Sequence, residues 1–164
     1  MDRGQSERLV PMLEELLAEA GIGWRDLDAV GVGTGPGNFT GVRIAVATAR
    51  GLALGLGIPA IGVTGFDATG AAPGTTVLIA APRGQVYAHV AGSGIPPRLL
   101  SGEEAARLSG PLLHDRDVAP TARIATLARL AAARRETPGP RPAPLYLRPA
   151  DAAPAADPPP VILP

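Results

Sequence analysis

One stretch of the chain combines residue types and spacing that could do chemistry: Gly33-Thr34-Gly35-Pro36-Gly37-Asn38-Phe39-Thr40-Gly41-Val42-Arg43. Glycines and a proline ahead of a helix leave backbone N–H groups bare at the positive end of its dipole, an arrangement that can hold an anion. The spacing is neither G-x-x-x-x-G-K-[ST] nor G-x-G-x-x-G, and all 15 basic residues are Arg, so no lysine exists to grip a phosphate. A nucleotide P-loop is excluded. The same residues also have a purely structural reading, in which Gly35, Pro36, Gly37 and Gly41 shape a tight strand-to-helix turn, Phe39 fills the core beneath it and Thr40 caps the helix.

The remaining polar residues form no reactive set. There is no Cys, which removes thiol nucleophiles, disulfides and cysteine metal sites, and the two His, His89 and His114, lie far apart with no third ligand at metal spacing. Asp67, Asp115, Asp117 and Asp151 stand singly in loop-like sequence, so no general acid/base pair emerges. Arg83 falls in a turn where a solvated guanidinium needs no ligand to explain it, and Glu103 and Glu104 suit the first turn of a helix. Neither a catalytic residue nor a cofactor or metal site is assigned.

The elements that hold the glycine-rich segment follow from periodicity. Leu9, Leu13, Leu16, Leu17 and Ala20 recur at helical spacing with Met12 beside them, opposite a face of Glu and Arg, and Gly21 and Gly23 end that helix. Pro11 is expected near its start. A strand over Asp28–Val32, a helix over Val42–Leu56 and a strand over Ile58–Val63 then make a parallel β-α-β unit. The helix is apolar nearly all round, with Arg43, Thr48 and Arg50 its clear polar positions and a small residue at Gly41, Ala45, Ala49 and Ala53. A helix on one face of a sheet needs only one buried stripe, so its other side is expected to be covered by the first helix, by a partner, or by both.

Beyond a Gly/Ala/Pro/Thr stretch at Gly70–Thr75, read as a hinge, strands are expected at Thr76–Ala81, Gln85–Val90 and Leu145–Leu147, and helices at Gly102–Leu108 and Thr121–Arg135. This divides the chain into a partial first lobe at 1–72, a shortened second lobe at 73–148, and a Pro/Ala tail at 149–164 expected to be disordered. Balanced charge, 15 basic against 15 acidic residues, gives no long-range field for RNA or an anionic membrane. The polar start and the lack of a long charge-free apolar run lead to a cytoplasmic, non-membrane expectation.

The segments Arg3-Gly4-Gln5-Ser6-Glu7-Arg8-Leu9 and Gly33 to Arg43, followed in order by Gly51-Leu52-Ala53-Leu54-Gly55, Ile58-Pro59, Ile61-Gly62-Val63, Arg83-Gly84-Gln85-Val86-Tyr87 and Tyr146-Leu147-Arg148, resemble the bacterial TsaB (YeaZ) family. The resemblance implies an α/β, actin-like (ASKHA/ribonuclease H-like) two-lobed fold. It implies a non-catalytic subunit that binds and supports a TsaD-family protein in making threonylcarbamoyladenosine at position 37 of tRNA, together with a TsaE-family ATPase. Binding of tRNA would be indirect, and a homodimer is the alternative pairing. Carried over, the partner-binding residues would be Leu9, Met12, Leu13 and Leu16 of the first helix and Val42, Ala45, Val46 and Ala49 of the second.

The family opens with a strand hairpin that precedes the Arg-Gly segment, so the first lobe is expected to lack that hairpin here, and Gln5 replaces the usual His. An open sheet edge and bare helix faces would then make the isolated chain marginal or self-associating. Alternative readings are a small nucleotide-binding module built on the glycine-rich turn, or an incomplete, non-functional copy of the family. A glycopeptidase reading lacks its paired His.

Overall fold

The computed structural model describes residues 5–147. Arg3 and Gly4, Arg148 and the 149–164 segment expected to be disordered lie outside the described residues.

Helix α1 spans Gln5–Glu19. Pro11 sits well inside it rather than near its start, so the helix gives up the bond that residue 11 would have donated to the carbonyl of Glu7. The helix ends as its glycines suggest: left-handed Gly21 lets its own N–H reach the carbonyl of Ala18 at 3.0 Å and the N–H of Ile22 reach that of Leu17 at 3.1 Å. Strand β1 (Val30–Gly33), helix α2 (Phe39–Leu56) and strand β2 (Ala60–Val63) follow as a β-α-β unit. The strands pair in parallel, Val30 opposite Ala60 through Gly33 opposite Val63. The short third helix, α3 (Gly65–Ala68), starts on Thr64, whose hydroxyl accepts the N–H of Asp67.

A second sheet holds β3 (Thr76–Ala80), β4 (Val86–Val90), β5 (Arg98–Leu100) and β6 (Leu112–His114) in the order β5-β4-β3-β6. The β3–β4 and β4–β5 pairs are antiparallel, and β6 runs parallel to β3. Its alternating residues feed two separate apolar clusters. Val77, Ile79 and Tyr87 pack with Phe66 of α3 on one face, and Leu78, Ala88 and Leu100 pack together on the other. Helix α4 (Gly102–Ala106) begins with a reciprocal cap between Ser101 and Glu104.

Helix α5 (Pro120–Ala133) leaves the second sheet and packs on β1 and β2, on the opposite face from α2. Sequence order alone had suggested that this helix belongs with the later strands. The approach to β1 is close: a Cβ on Gly31 would come within 2.8 Å of the Ala131 Cβ and 2.9 Å of a Leu127 methyl. The first sheet is thus a two-stranded layer between α2 and α5, and its strand β1 has one neighbour, β2, among the described residues.

The strand expected at Leu145–Leu147 is not regular structure. Among the described residues one backbone bond, Leu145 N–H to the carbonyl of Thr34 at 2.8 Å, holds it, and Pro142 and Pro144 lack the donors that a ladder needs. Strands β5 and β6, only three residues each, were not anticipated. By length and mean hydropathy (1.3), α2 is the one described helix that would pass for a membrane span. Its inner side chains Val46, Ala49 and Ala53 are nonetheless packed inside the protein.

Candidate partner-binding face

The glycine-rich turn joins β1 to α2. The Gly35–Pro36 peptide is cis, and Gly35 has φ +91°. Its carbonyl accepts the N–H of Gly65 at 2.7 Å, which ties the turn to the start of α3. Asn38, not Thr40, caps α2: its side-chain oxygen accepts the N–H of Gly41 at 2.8 Å. Asn outranks Thr at such a position, so this cap was readable in the sequence. The residue under the turn is Val42, whose methyls lie against Gly35 and Gly37, while Phe39 points outward and is 47 % exposed. Both corrections have one cause, which is that the helix starts three residues earlier than its apolar run.

Phe39 is half-covered from an unexpected direction. Residues 141–147 run back past the C-terminal ends of β1 and β2: Pro142 is buried against Gly62, and the Leu145–Thr34 bond fixes the segment beside the turn. Tyr146 then meets Phe39 with ring centroids 5.3 Å apart, tilted by 40°. The Arg43 guanidinium lies 3.7 Å from the centre of the Phe39 ring, and its Nε donates to the Tyr146 hydroxyl at 2.6 Å. The cluster stays at the surface, with Tyr146 50 % exposed. No local pattern could have paired Tyr146 with residues about a hundred positions earlier.

The eight residues expected to bind a partner divide sharply. On α2, Val46 and Ala49 are 3 % and 5 % exposed and pack on Val32 of β1, with Val42 and Ala45 half-buried beside them. The outward stripe of this helix is instead Arg43, Ala47, Arg50, Gly51 and Leu54, all exposed, with Leu54 at 81 %. On α1, Leu9, Met12 and Leu13 are half-buried and Leu16 is exposed. An apolar cleft of about 240 Å³ lies between this helix and the edge of β1, lined by Leu13, Leu16, Leu17, Trp24, Leu27 and Leu52 among others.

Charge is segregated across these helices. From Ala29 to Phe66 there is no Asp or Glu, and the charged residues are Arg43 and Arg50; Arg141 is the only charge between Glu136 and Arg148. None of these three arginines pairs with a carboxylate among the described residues. Helix α1 carries Glu7, Glu14, Glu15 and Glu19 against Arg8, which bridges to Glu15 at 3.3 Å. The Glu7 carboxyl is held below the usual carboxylate range by hydrogen bonds from its own backbone N–H and from Ser6. Among the described residues, no three His, Asp or Glu side chains come together as metal ligands would.

Comparison with known proteins gives this surface its context. The family described as TsaD, tRNA N6-adenosine threonylcarbamoyltransferase, matches residues 1–94. A solved Pseudomonas aeruginosa protein, described as uncharacterized with similarity to the peptidase YeaZ, is 26 % identical with a TM-score of 0.64, over 87 % of this chain and 83 % of that one. YeaZ from the same organism is also 26 % identical, with a TM-score of 0.63, over 88 % of this chain and 85 % of that one. No curated protein matches the sequence. The mixed α/β architecture is therefore the actin-like fold that the sequence motifs implied.

Proposed function

Because the chain belongs to the TsaD family of tRNA N6-adenosine threonylcarbamoyltransferases and is YeaZ-like in sequence and structure, its role lies in threonylcarbamoyladenosine synthesis, and within that role we propose a non-catalytic subunit that binds and supports a TsaD-type enzyme. The observation that carries this reading is the outward stripe of α2, where Leu54 stands 81 % exposed on a helix whose other side is already in the core. Leu54 and the small residues Ala47 and Gly51 stand in water beside the arginines of that stripe in the isolated chain, and a partner surface would cover them. The neighbouring α1, with Leu16 exposed above an apolar cleft, extends the same surface.

In this reading Leu9, Met12, Leu13 and Leu16 line the α1 half of the interface, and Val42, Ala45, Val46 and Ala49 hold α2 on its sheet so that the opposite stripe can dock. A division near residue 73 would separate the two sheets, with α5 and residues 141–147 returning to the first, and a TsaE-type ATPase joins through the complex, with tRNA held by the partner. The chain works in the cytoplasm. The nucleotide-module reading is weaker, since the N-terminus of α2 is already capped by Asn38 and flanked by the Phe39–Tyr146 pair.

Light scattering after size-exclusion chromatography, on the chain mixed with a TsaD-type subunit, tests the proposal. A stable complex that Leu16→Glu or Leu54→Arg abolishes is expected. Absence of any complex, together with saturable ATP binding by the chain alone, would overturn it in favour of the nucleotide module.

A further inference from the structure

We propose that residues 141–147 are a latch between the two sheets: they hold the second sheet in one place against the β1-α2-β2 unit, and their release leaves the sheets free to turn about the connections that join them. The latch is a property of the chain by itself and stands apart from the subunit reading above.

Its basis begins in the sequence. In Arg141-Pro142-Ala143-Pro144-Leu145-Tyr146-Leu147 two prolines fix φ, so the segment has little freedom left to lose when it settles on a surface. In extended backbone, successive side chains point to opposite sides. Tyr146 accordingly meets Phe39 and Arg43 at the first turn of α2, while Leu145 and Leu147 pack on the cluster of Phe66, Val77, Ile79 and Tyr87. The Leu145 N–H donates to the Thr34 carbonyl, just past the end of β1. Leu145 is thus gripped by the first sheet through its backbone and by the second through its side chain. Pro142, buried against Gly62 of β2, adds another hold on the first sheet.

Elsewhere the chain crosses between the sheets in two short connections, residues 69–75 from α3 to β3 and residues 115–119 from β6 to α5. The first holds Gly70 and Gly74 at φ +68° and +85°, which suits a pivot. Helix α3 packs on β3 immediately before it. The strap is held by few hydrogen bonds, and its Arg43–Tyr146 contact lies at the surface. Segments held in this way open before the elements they join unfold.

The test measures the distance between the sheets in the full chain. The sequence has no Cys, so Ala47→Cys on α2 and Glu103→Cys on α4, both exposed, carry two spin labels without background. Electron paramagnetic resonance then compares the parent with Leu145→Ala, and with a chain in which a site-specific protease sequence replaces the exposed residues 136–140 and is cut after folding. The cut chain decides the matter if Leu145→Ala fails to fold. We expect one narrow distance in the parent and a broadened, shifted distribution in Leu145→Ala. The cut chain should release its strap on gel filtration, broaden in the same way with unchanged circular dichroism, and narrow again when a synthetic peptide of residues 141–147 is added in excess.

A distribution that stays narrow in either altered chain would show the sheets held without the strap and overturn the latch. So would a broad distribution in the parent, or a strap that cannot be separated from the cut chain. Loss of the circular dichroism signal on cutting would make the segment part of the folding core instead. Failure of the peptide to narrow the distribution would trace the loosening to the cut itself. Either result overturns the proposal.

Discussion

Arg43 and Tyr146, 103 residues apart, are joined by a 2.6 Å hydrogen bond from the guanidinium Nε to the phenol hydroxyl, over the ring of Phe39. The bond fastens the last described segment to the first turn of α2. Tyr146→Phe removes the acceptor and keeps the ring contact, so the loss should be small. We expect about 0.5–1.5 kcal/mol, toward the lower end because the pair is exposed, read as a lower urea midpoint with an unchanged slope.

A single methyl on β1 should cost more than that hydrogen bond. In Gly31→Ala the new Cβ would stand 2.8 Å from Ala131 Cβ and 2.9 Å from a Leu127 methyl, closer than carbon atoms tolerate. Ala131 is buried and on the helix backbone, so α5 itself must move. Overpacking of this kind costs about 1–3 kcal/mol, and thermal melting should show it, with Leu127→Ala in the same background recovering part of the loss.

Phe66 is the more deeply buried of the two aromatics, with Tyr87, in the cluster beneath the second sheet, 2 % exposed and 5.3 Å from the His89 ring, on a four-residue helix just after β2. Phe66→Ala should therefore destabilise by about 3–5 kcal/mol, with the melt lowered and broadened. A loss below about 1 kcal/mol would show that the site collapses around the missing ring.

The cap of α4 gives a pH prediction. The backbone N–H and hydroxyl of Ser101 hold the Glu104 carboxyl below its ordinary value. Its proton is bound less tightly in the folded chain than in the unfolded one. The stabilisation is thus fully present above the unfolded-state value and is lost as pH falls through the lowered folded value. An NMR titration should find Glu104 titrating below the usual carboxylate range, and Ser101→Ala, which removes the hydroxyl but keeps the backbone N–H that contributes most, should move it only part of the way back.

The β-α-β unit was legible because its signals are local. Apolar periodicity, Gly21 and Gly23 after the first helix, and a glycine-rich turn between strand and helix each act within a few residues. The turn's two misread side chains show where that ends: Phe39 was assigned to the core on hydrophobicity, but the core position went to Val42 once Asn38 set the start of the helix. The partner face was half-legible for a related reason. Periodicity showed that α2 is apolar on both sides, and only the position of β1 decides that Val46 and Ala49 face inward and Arg43, Arg50 and Leu54 outward. Short strands such as β5 and β6 exist because β4 and β3 offer them edges, which three residues cannot announce on their own.

Helix α5 (Pro120–Ala133) packs on strands that the chain made far earlier, β1 at Val30–Gly33 and β2 at Ala60–Val63. On the ribosome, β1, α2 and β2 would emerge with one side of their sheet still bare, and that side is closed only after Ala133 has left the exit tunnel. Contacts between segments so far apart in sequence form slowly, so the N-terminal half is expected to reach its full stability only when α5 docks.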